Sequence, residues 1–518
     1  MARDGARRSR WYLAAGTLLA LTAYGAADAF DIVPGVLTTA DTDAGTPPRL
    51  APGATDGNAG GTAGETAGGT ASGHGDGNDG VGMPLLVEEV PVLAPANPNA
   101  PVPAPAALAR AVAAPLRAPA LGASVGLDVR DPATGEVLVS VDAERPRTPA
   151  STAKVLTALA LANAGDLGER AATRVVDGPA KDQITLVAGG DVLLAAGRGS
   201  PAAVAGRAGL ADLADQVAAA LRAGGRRTVR LVLDERSAAG PAYGTGWAMA
   251  DVRAGLTGPV TMLGLADDRA VPGRAGAADP PGEVARAFRA ALIARKVAVT
   301  GSLIRLVPAA AEAAPGPGGD TGTGTELGRV DSAPLGRVLA LALATSDNAL
   351  TESLARRVAV AGGAPATFPA VGAWVRAQVG AAGIDVRGVR LEDASGLSRS
   401  SAVPARTLAA VLLAARDPRY RHSFGQIVAD LPVSGLSGTL SERYRGAATR
   451  PAAGIVRAKT GTLTGVASLA GTLVDADGRL LVFAVMADRA PAPPVGGMER
   501  SRAALDAVVT AIAACGCR

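Results

Sequence analysis

The chain is 518 residues long, 48% hydrophobic but only 3% aromatic, so its cores must be built from Ala, Val and Leu, and the length allows two or three domains. A net charge of +4, with no basic block interleaved with aromatics, excludes nucleic acid as a partner. Two histidines and a terminal Cys515-Gly516-Cys517 supply neither a disulfide framework nor clustered zinc ligands, and no metal or cofactor is expected.

Arg3, Arg7, Arg8 and Arg10 precede an uncharged, mostly apolar run from Trp11 to Ala27, and Ala27-Asp28-Ala29 has the small-x-small form of a cleavage site. Residues 1–30 read as a secretory signal peptide or, uncleaved, as a membrane anchor; either places the rest of the chain outside the cytoplasm. Residues 31–105 read as a disordered linker. From Asp41 on they carry Gly-Gly-Thr and Gly-Asp-Gly repeats and then a Pro-Ala-rich piece, which cannot bury enough apolar surface to offset the entropy of ordering.

The folded part begins near residue 106, with a first helix expected over Leu108 to Leu116. Val125, Leu127 and Val129 alternate with other residues, Asp131-Pro132-Ala133-Thr134-Gly135 signals a turn, and Val137, Val139 and Val141 alternate again, which is a β-hairpin. It feeds into Pro149-Ala150-Ser151-Thr152-Ala153-Lys154 and a run that is apolar nearly all round, a helix that belongs in a core and starts at Pro149. Residues 166–327 mix short strands (Ile184 to Ala188, Val229 to Leu233) with helices (Leu210 to Arg222, Glu283 to Arg295), closed by a Gly-, Pro- and Thr-rich loop over 315–324. Leu335 to Leu343 is helical and leads into Ser346-Asp347-Asn348. Asp393-Ala394-Ser395-Gly396 is a turn signal. Ile455 to Lys459 reads as a strand that ends in Lys459-Thr460-Gly461-Thr462, followed by a second hairpin over Ala467 to Met486 and an amphipathic helix, Ser501 to Ala514.

Ser151 and Lys154, three apart, share one face of the first helical turn. A serine hydroxyl needs a base to become a nucleophile, and a lysine in a dry site loses its proton readily enough to be that base. Taken alone, Ser-x-x-Lys also fits an N-cap serine with a surface lysine, Ser346-Asp347-Asn348 a helix cap, and Lys459-Thr460-Gly461 a strand end. Together, in this order, they form the motif set of serine β-lactamases and penicillin-binding proteins. A Ser-His-Asp triad would have to use His422, with no nucleophile-elbow motif, because His74 lies in the linker.

On these motifs, and on Ala188-Gly189-Gly190-Asp191, Ser346-Asp347-Asn348-Ala349-Leu350-Thr351-Glu352, Asp393-Ala394-Ser395-Gly396-Leu397-Ser398 and Leu431-Pro432-Val433, the chain resembles the D-alanyl-D-alanine carboxypeptidase/endopeptidase family, the class C low-molecular-mass penicillin-binding proteins. Ser346 follows Ser151 by 195 positions, which matches the large insert of that family. The chain departs from the family at Val192, where Pro is usual, and at Ala394, where Gly is common.

The resemblance implies an α+β fold of the penicillin-binding transpeptidase/β-lactamase-like type: an antiparallel sheet flanked by helices, with the catalytic domain split as 106–165 and 328–518 around an inserted accessory region, 166–327. It implies a serine-type carboxypeptidase, with or without endopeptidase activity, that removes the terminal D-Ala of peptidoglycan stem peptides and is acylated by β-lactams. The implied catalytic residues are Ser151 (nucleophile), Lys154 (base), Ser346 and Lys459 (proton relay). Asn348, Thr460, Gly461 and Thr462 are implied to bind substrate, with the backbone N–H groups of Ser151 and Thr462 as oxyanion donors. Two other readings use the same motifs: a β-lactam-acylated sensor or wall-binding protein with little turnover, and a serine β-lactamase, against which the insert length argues. Contact with a membrane is expected only through the N-terminal segment, if it is uncleaved.

Overall fold

A computed structural model describes residues 96–307, 324–491 and 496–516. The N-terminal signal or anchor, nearly all of the linker, and all of the 315–324 loop but Gly324 lie outside the described residues. Among the described residues no helix is long and apolar enough to cross a membrane.

Five strands form one antiparallel sheet in the order Arg457–Leu463, Val466–Val474, Leu480–Ala487, Val125–Arg130, Val137–Val141. The two hairpins expected from valine alternation therefore share a sheet, joined where Val125–Arg130 pairs with Leu480–Ala487. Side chains of a strand point alternately to its two faces. Val482, Ala484 and Met486 thus enter one core, while Leu481, Phe483 and Val485 enter a second. Helices Pro105–Ala113 and Gly497–Ala513 cover the second face, with Leu108, Val112, Leu505 and Val509 in its core.

The first face is covered by helix Ala153–Ala164, in which every residue from Ala153 to Leu161 is buried. Its fully buried leucines each contribute about 2 kcal/mol of hydrophobic stabilisation. Helices Leu335–Thr345, Asn348–Ala361, Phe368–Ala381 and Ala405–Leu413 pack around it. The same burial takes in Lys154, whose charge must be compensated locally.

Between Ala164 and Leu335 the chain builds another sheet, ordered Ile304–Leu306, Thr228–Asp234, Gln183–Val187, Arg170–Asp177, Glu326–Pro334, with Ala298–Val299 also pairing with Thr228–Asp234. Helices Leu210–Ala223 and Pro280–Ala294 pack on it around their own core of Leu213, Val217, Val284 and Phe288. The strands that come first and last along the chain, Arg170–Asp177 and Glu326–Pro334, are antiparallel partners, Arg170 opposite Pro334, so the chain leaves and rejoins the central helix layer at neighbouring points. Gly189-Gly190-Asp191 makes a tight connection here: a Cβ at Gly189 would stand 1.8 Å from the Ala172 carbonyl oxygen. Asp191 is buried and accepts the Leu193 N–H at 2.8 Å, and burial pushes its carboxyl up to about 7.

One part of this region does not stay with its own sheet. Trp247 and Val260 pack against Ala150, Phe368, Leu397, Leu463 and Val466, residues of the central body.

Candidate active site

The sequence places a helix start at Pro149; the structure starts the α-helix at Ala153, after a 3-10 turn over Ala150–Thr152 that carries Ser151. The reason is Ala150, at φ 48°, a left-handed conformation that costs a non-glycine residue on the order of 1 kcal/mol and cannot continue a helix. The turn is held from below. The hydroxyls of Thr152 and Ser468 both donate to the Pro149 carbonyl, at 2.7 and 2.6 Å. Two glycines let neighbouring backbones close in: a Cβ at Gly396 would lie 1.9 Å from the Ala150 carbonyl oxygen, and one at Gly461 2.8 Å from the Pro149 carbonyl oxygen.

Lys154 is fully buried one turn later, with its Nζ 2.9 Å from Ser151 Oγ, 2.5 Å from Asn348 Oδ1 and 2.8 Å from the Ser395 carbonyl oxygen. The Asn348 amide oxygen and the Ser395 carbonyl oxygen can only accept, so both hold N–H bonds of the lysine. In the neutral amine the remaining position is the lone pair, and it faces the serine hydroxyl. Burial pushes the Lys154 ammonium down to about 8, against the opposing charges of Glu352, Asp393 and Asp347.

Ser346 and Lys459 form a second pair in the same cleft. Ser346 ends helix Leu335–Thr345 at φ 57°, and Asp347 then caps the next helix by accepting the Leu350 N–H at 2.9 Å. This double terminus turns Ser346 and Asn348 into the cleft. Lys459 Nζ lies 2.9 Å from Ser346 Oγ and 2.9 Å from the Thr460 carbonyl oxygen. Its ammonium is held well below its ordinary range, by burial first and by the Lys154 charge second. The strand expected to end at Lys459 instead runs Arg457–Leu463, because Thr460 to Leu463 keep pairing with Val466 to Leu469. Thr460 Oγ1 donates to Thr439 Oγ1 at 2.8 Å, and Thr462 Oγ1 accepts the Arg502 Nε–H at 3.4 Å.

All eight expected site residues thus lie on or beside one cleft of about 470 Å³, whose lining includes Ser151, Ser346, Asn348, Thr460 and Thr462. His422 is exposed and lies against Arg421 instead.

Several partners were not read from the sequence. Glu352, fully buried, accepts the N–H groups of Ser395 and Ala394 at 2.7 and 3.2 Å, and so anchors the residue whose carbonyl holds Lys154. Asp393 accepts from Gly396 N, Ser398 N and the Trp247 indole at 2.8, 2.6 and 2.8 Å. Burial raises both carboxyls, Glu352 to about 7. Asn348 Nδ2 donates to the Leu256 carbonyl at 2.7 Å, so the 166–327 region reaches the site. A signal existed for Glu352, four positions after Asn348 and hence on its helix face; Trp247 and Leu256 offered none.

Comparisons with known proteins bear on the family and the fold. The D-Ala-D-Ala carboxypeptidase 3 (S13) family matches residues 108–302 and 317–510. The chain is 38% identical over 433 residues to the carboxypeptidase DacB of Mycolicibacterium smegmatis, covering 82% of this chain and 88% of that protein. It is 31% identical over 436 residues to the D-alanyl-D-alanine carboxypeptidase of Actinomadura sp. (strain R39), covering 70% and 78%. In fold it is similar to the crystal structure of penicillin binding protein 4 from Haemophilus influenzae, with a TM-score of 0.59, 21% identity, and coverage of 77% of this chain and 97% of that one. The hairpin-built sheet, the buried helix behind Ser151 and the two serine–lysine pairs are therefore features of a chain that belongs to the D-Ala-D-Ala carboxypeptidase 3 (S13) family.

Proposed function

We propose that the chain removes the terminal D-alanine of peptidoglycan stem peptides through an acyl-enzyme on Ser151. The observation that carries this reading is Lys154: fully buried, with two N–H bonds committed to Asn348 and Ser395 and its third position 2.9 Å from Ser151 Oγ.

The neutral Lys154 amine takes the Ser151 proton as Oγ bonds to the carbonyl carbon of the penultimate D-alanine. The developing oxyanion receives the backbone N–H groups of Ser151 and Thr462, donors of a kind worth about 3 kcal/mol each. Asn348 holds the substrate amide, and Thr460 and Thr462, with Lys459, receive the terminal carboxylate. The C–N bond then breaks, and the departing amine takes its proton through Ser346 and Lys459. Water attacks the ester by the reverse proton path, which returns Ser151 and releases the shortened peptide.

Catalysis belongs to residues 106–165 and 328–518, and 166–327 forms the accessory region, whose closing strand runs on to Pro334. The substrate lies outside the cytoplasm, which is where the N-terminal segment would deliver the chain. β-Lactams acylate Ser151 by the same geometry; the Haemophilus influenzae protein, similar in fold with a TM-score of 0.52, has been crystallised with a β-lactam.

The test is incubation with diacyl-L-Lys-D-Ala-D-Ala while following free D-alanine. Release by the parent, and a loss of about 10⁴-fold or more in Ser151→Ala, is expected. A covalent penicillin adduct on Ser151 without release would favour the sensor reading, and neither adduct nor release would overturn the assignment.

A further inference from the structure

A second cavity, of about 650 Å³, lies between the inserted region and helix Asn348–Ala361, and it shares no lining residue with the catalytic cleft. A cavity of that volume is large enough for a short peptide. Ala238, Ala239, Ala242 and Ala366 form much of its wall. Its charged groups fall into two sets: Arg356 alone, and Arg305 with Glu235 and Asp279.

Arg356 is 2% exposed. A guanidinium buried so deeply ordinarily meets a carboxylate. Here Nη2 donates to the Pro241 carbonyl at 2.7 Å and Nη1 to the Val260 carbonyl at 3.5 Å, and the Phe368 ring centroid lies 4.8 Å from the guanidinium carbon. All three partners are neutral. Glu352, one turn earlier on the same helix, is near enough to pair, but its oxygens accept the Ser395 and Ala394 N–H groups instead. A guanidinium carries five N–H bonds, so most of the fork has no acceptor among the described residues. Burial pulls Arg356 down to about 10, against the Glu352 charge, and it stays charged at neutral pH.

The other set has the opposite imbalance. Arg305 donates to the two Glu235 oxygens at 2.6 and 2.7 Å and to Asp279 Oδ2 at 2.7 Å. One guanidinium against two carboxylates leaves an excess negative charge. The cavity thus presents an unmatched cation and an unmatched anion on walls of small apolar side chains. A short peptide with free ends carries the complement: a carboxylate for the Arg356 fork, an ammonium group for the acidic set, and methyl side chains for the alanine wall.

We propose that this cavity is a second, non-catalytic binding site for short peptides with both termini free and alanine-sized side chains, in which Arg356 receives the carboxylate and Glu235 and Asp279 the ammonium group. The inference stands on these residues and not on the reading of the cleft. The site lies behind the cleft: Arg356 covers Phe368, whose ring meets Trp247 at 4.8 Å between centroids, and Trp247 donates to Asp393.

The experiment titrates D-alanyl-D-alanine by calorimetry into the full chain after benzylpenicillin has closed the cleft, so that only the second site responds. A Kd below about 1 mM is expected. Amidation of the carboxyl or acetylation of the amine should each weaken binding about 10-fold or more, the effect of one lost charged partner. Arg356→Gln should bind the acid and the amide alike, and Ala239→Trp, which fills the cavity from its wall, should abolish binding. The proposal is overturned by the absence of binding in this range, by equal affinity of the parent for acid and amide, by discrimination retained in Arg356→Gln, or by undiminished binding to Ala239→Trp. Should one variant not fold, the other decides. Failure of benzylpenicillin to form an adduct would count against the reading of the cleft, not against this site; Ala239→Trp then separates the two, because dipeptide held only in the cleft would still bind it.

Discussion

Lys154 and Lys459 are both fully buried, and each stands 2.9 Å from a serine hydroxyl, yet their surroundings are opposite. Around Lys154 the charges of Glu352, Asp393 and Asp347 oppose the cost of burial and leave its pKa at about 8. Around Lys459 the Lys154 charge adds to burial and drives the second ammonium well below its ordinary range. Desolvation by itself lowers any buried lysine; what separates the two is the acid neighbourhood. The first lysine can be loaded and unloaded with a proton near neutral pH. The second has its neutral form favoured, which suits it to passing a proton on.

The comparison can be broken most forcefully at the first lysine. Lys154→Ala should cost about 10³-fold in kcat/KM, the range of a lost general base. In the parent, Lys154 must be neutral to accept a proton, so kcat/KM should rise with pH and level off above about 8, falling about tenfold per unit below it. A pH–rate profile without a limb near 8 would separate Lys154 from the base role. A smaller effect is expected at the second lysine: Lys459→Gln should lower the plateau about 10²-fold while leaving the limb near 8, because the charges that act on Lys154 are those of Glu352, Asp393 and Asp347. A limb that moved with this substitution would show Lys459 charged in the working enzyme. The smallest effect, and the sharpest, is expected for Glu352→Gln. Removing an anion that favours the ammonium lets Lys154 lose its proton at lower pH, so the limb should shift below 8. The plateau should drop only about tenfold, since Gln cannot accept both the Ser395 and Ala394 N–H groups. A purely structural role for Glu352 would lower the plateau without moving the limb.

The sequence made legible what is encoded locally. Valine alternation marked the strands, the apolar run after Ser151 marked the buried helix, and three short motifs marked both serine–lysine pairs. The strand end at Lys459 was misread because pairing from Thr460 to Leu463 is decided by the facing strand Val466–Val474, and Gly461 serves close approach rather than a turn. The turn at Ala150 was hidden because alanine seldom adopts a positive φ. The acid neighbourhood was hidden for another reason: Glu352 meets Ser395 across 43 positions, and Trp247 meets Asp393 across 146. No periodicity within either segment points at the other.

The pairing of Arg170–Asp177 with Glu326–Pro334 gives the inserted region a two-stranded stem. Judged by the stem alone, the region is a removable module: a short turn from 170 to 334 would close the chain, and its far side is free to vary in size. The cleft contradicts that modularity. Excision at the stem takes away the Leu256 carbonyl that accepts from Asn348 and the Trp247 indole that donates to Asp393. A minimal enzyme would therefore have to keep the 247–256 stretch or rebuild both contacts, and variation in the insert is tolerated only where it leaves that stretch in place.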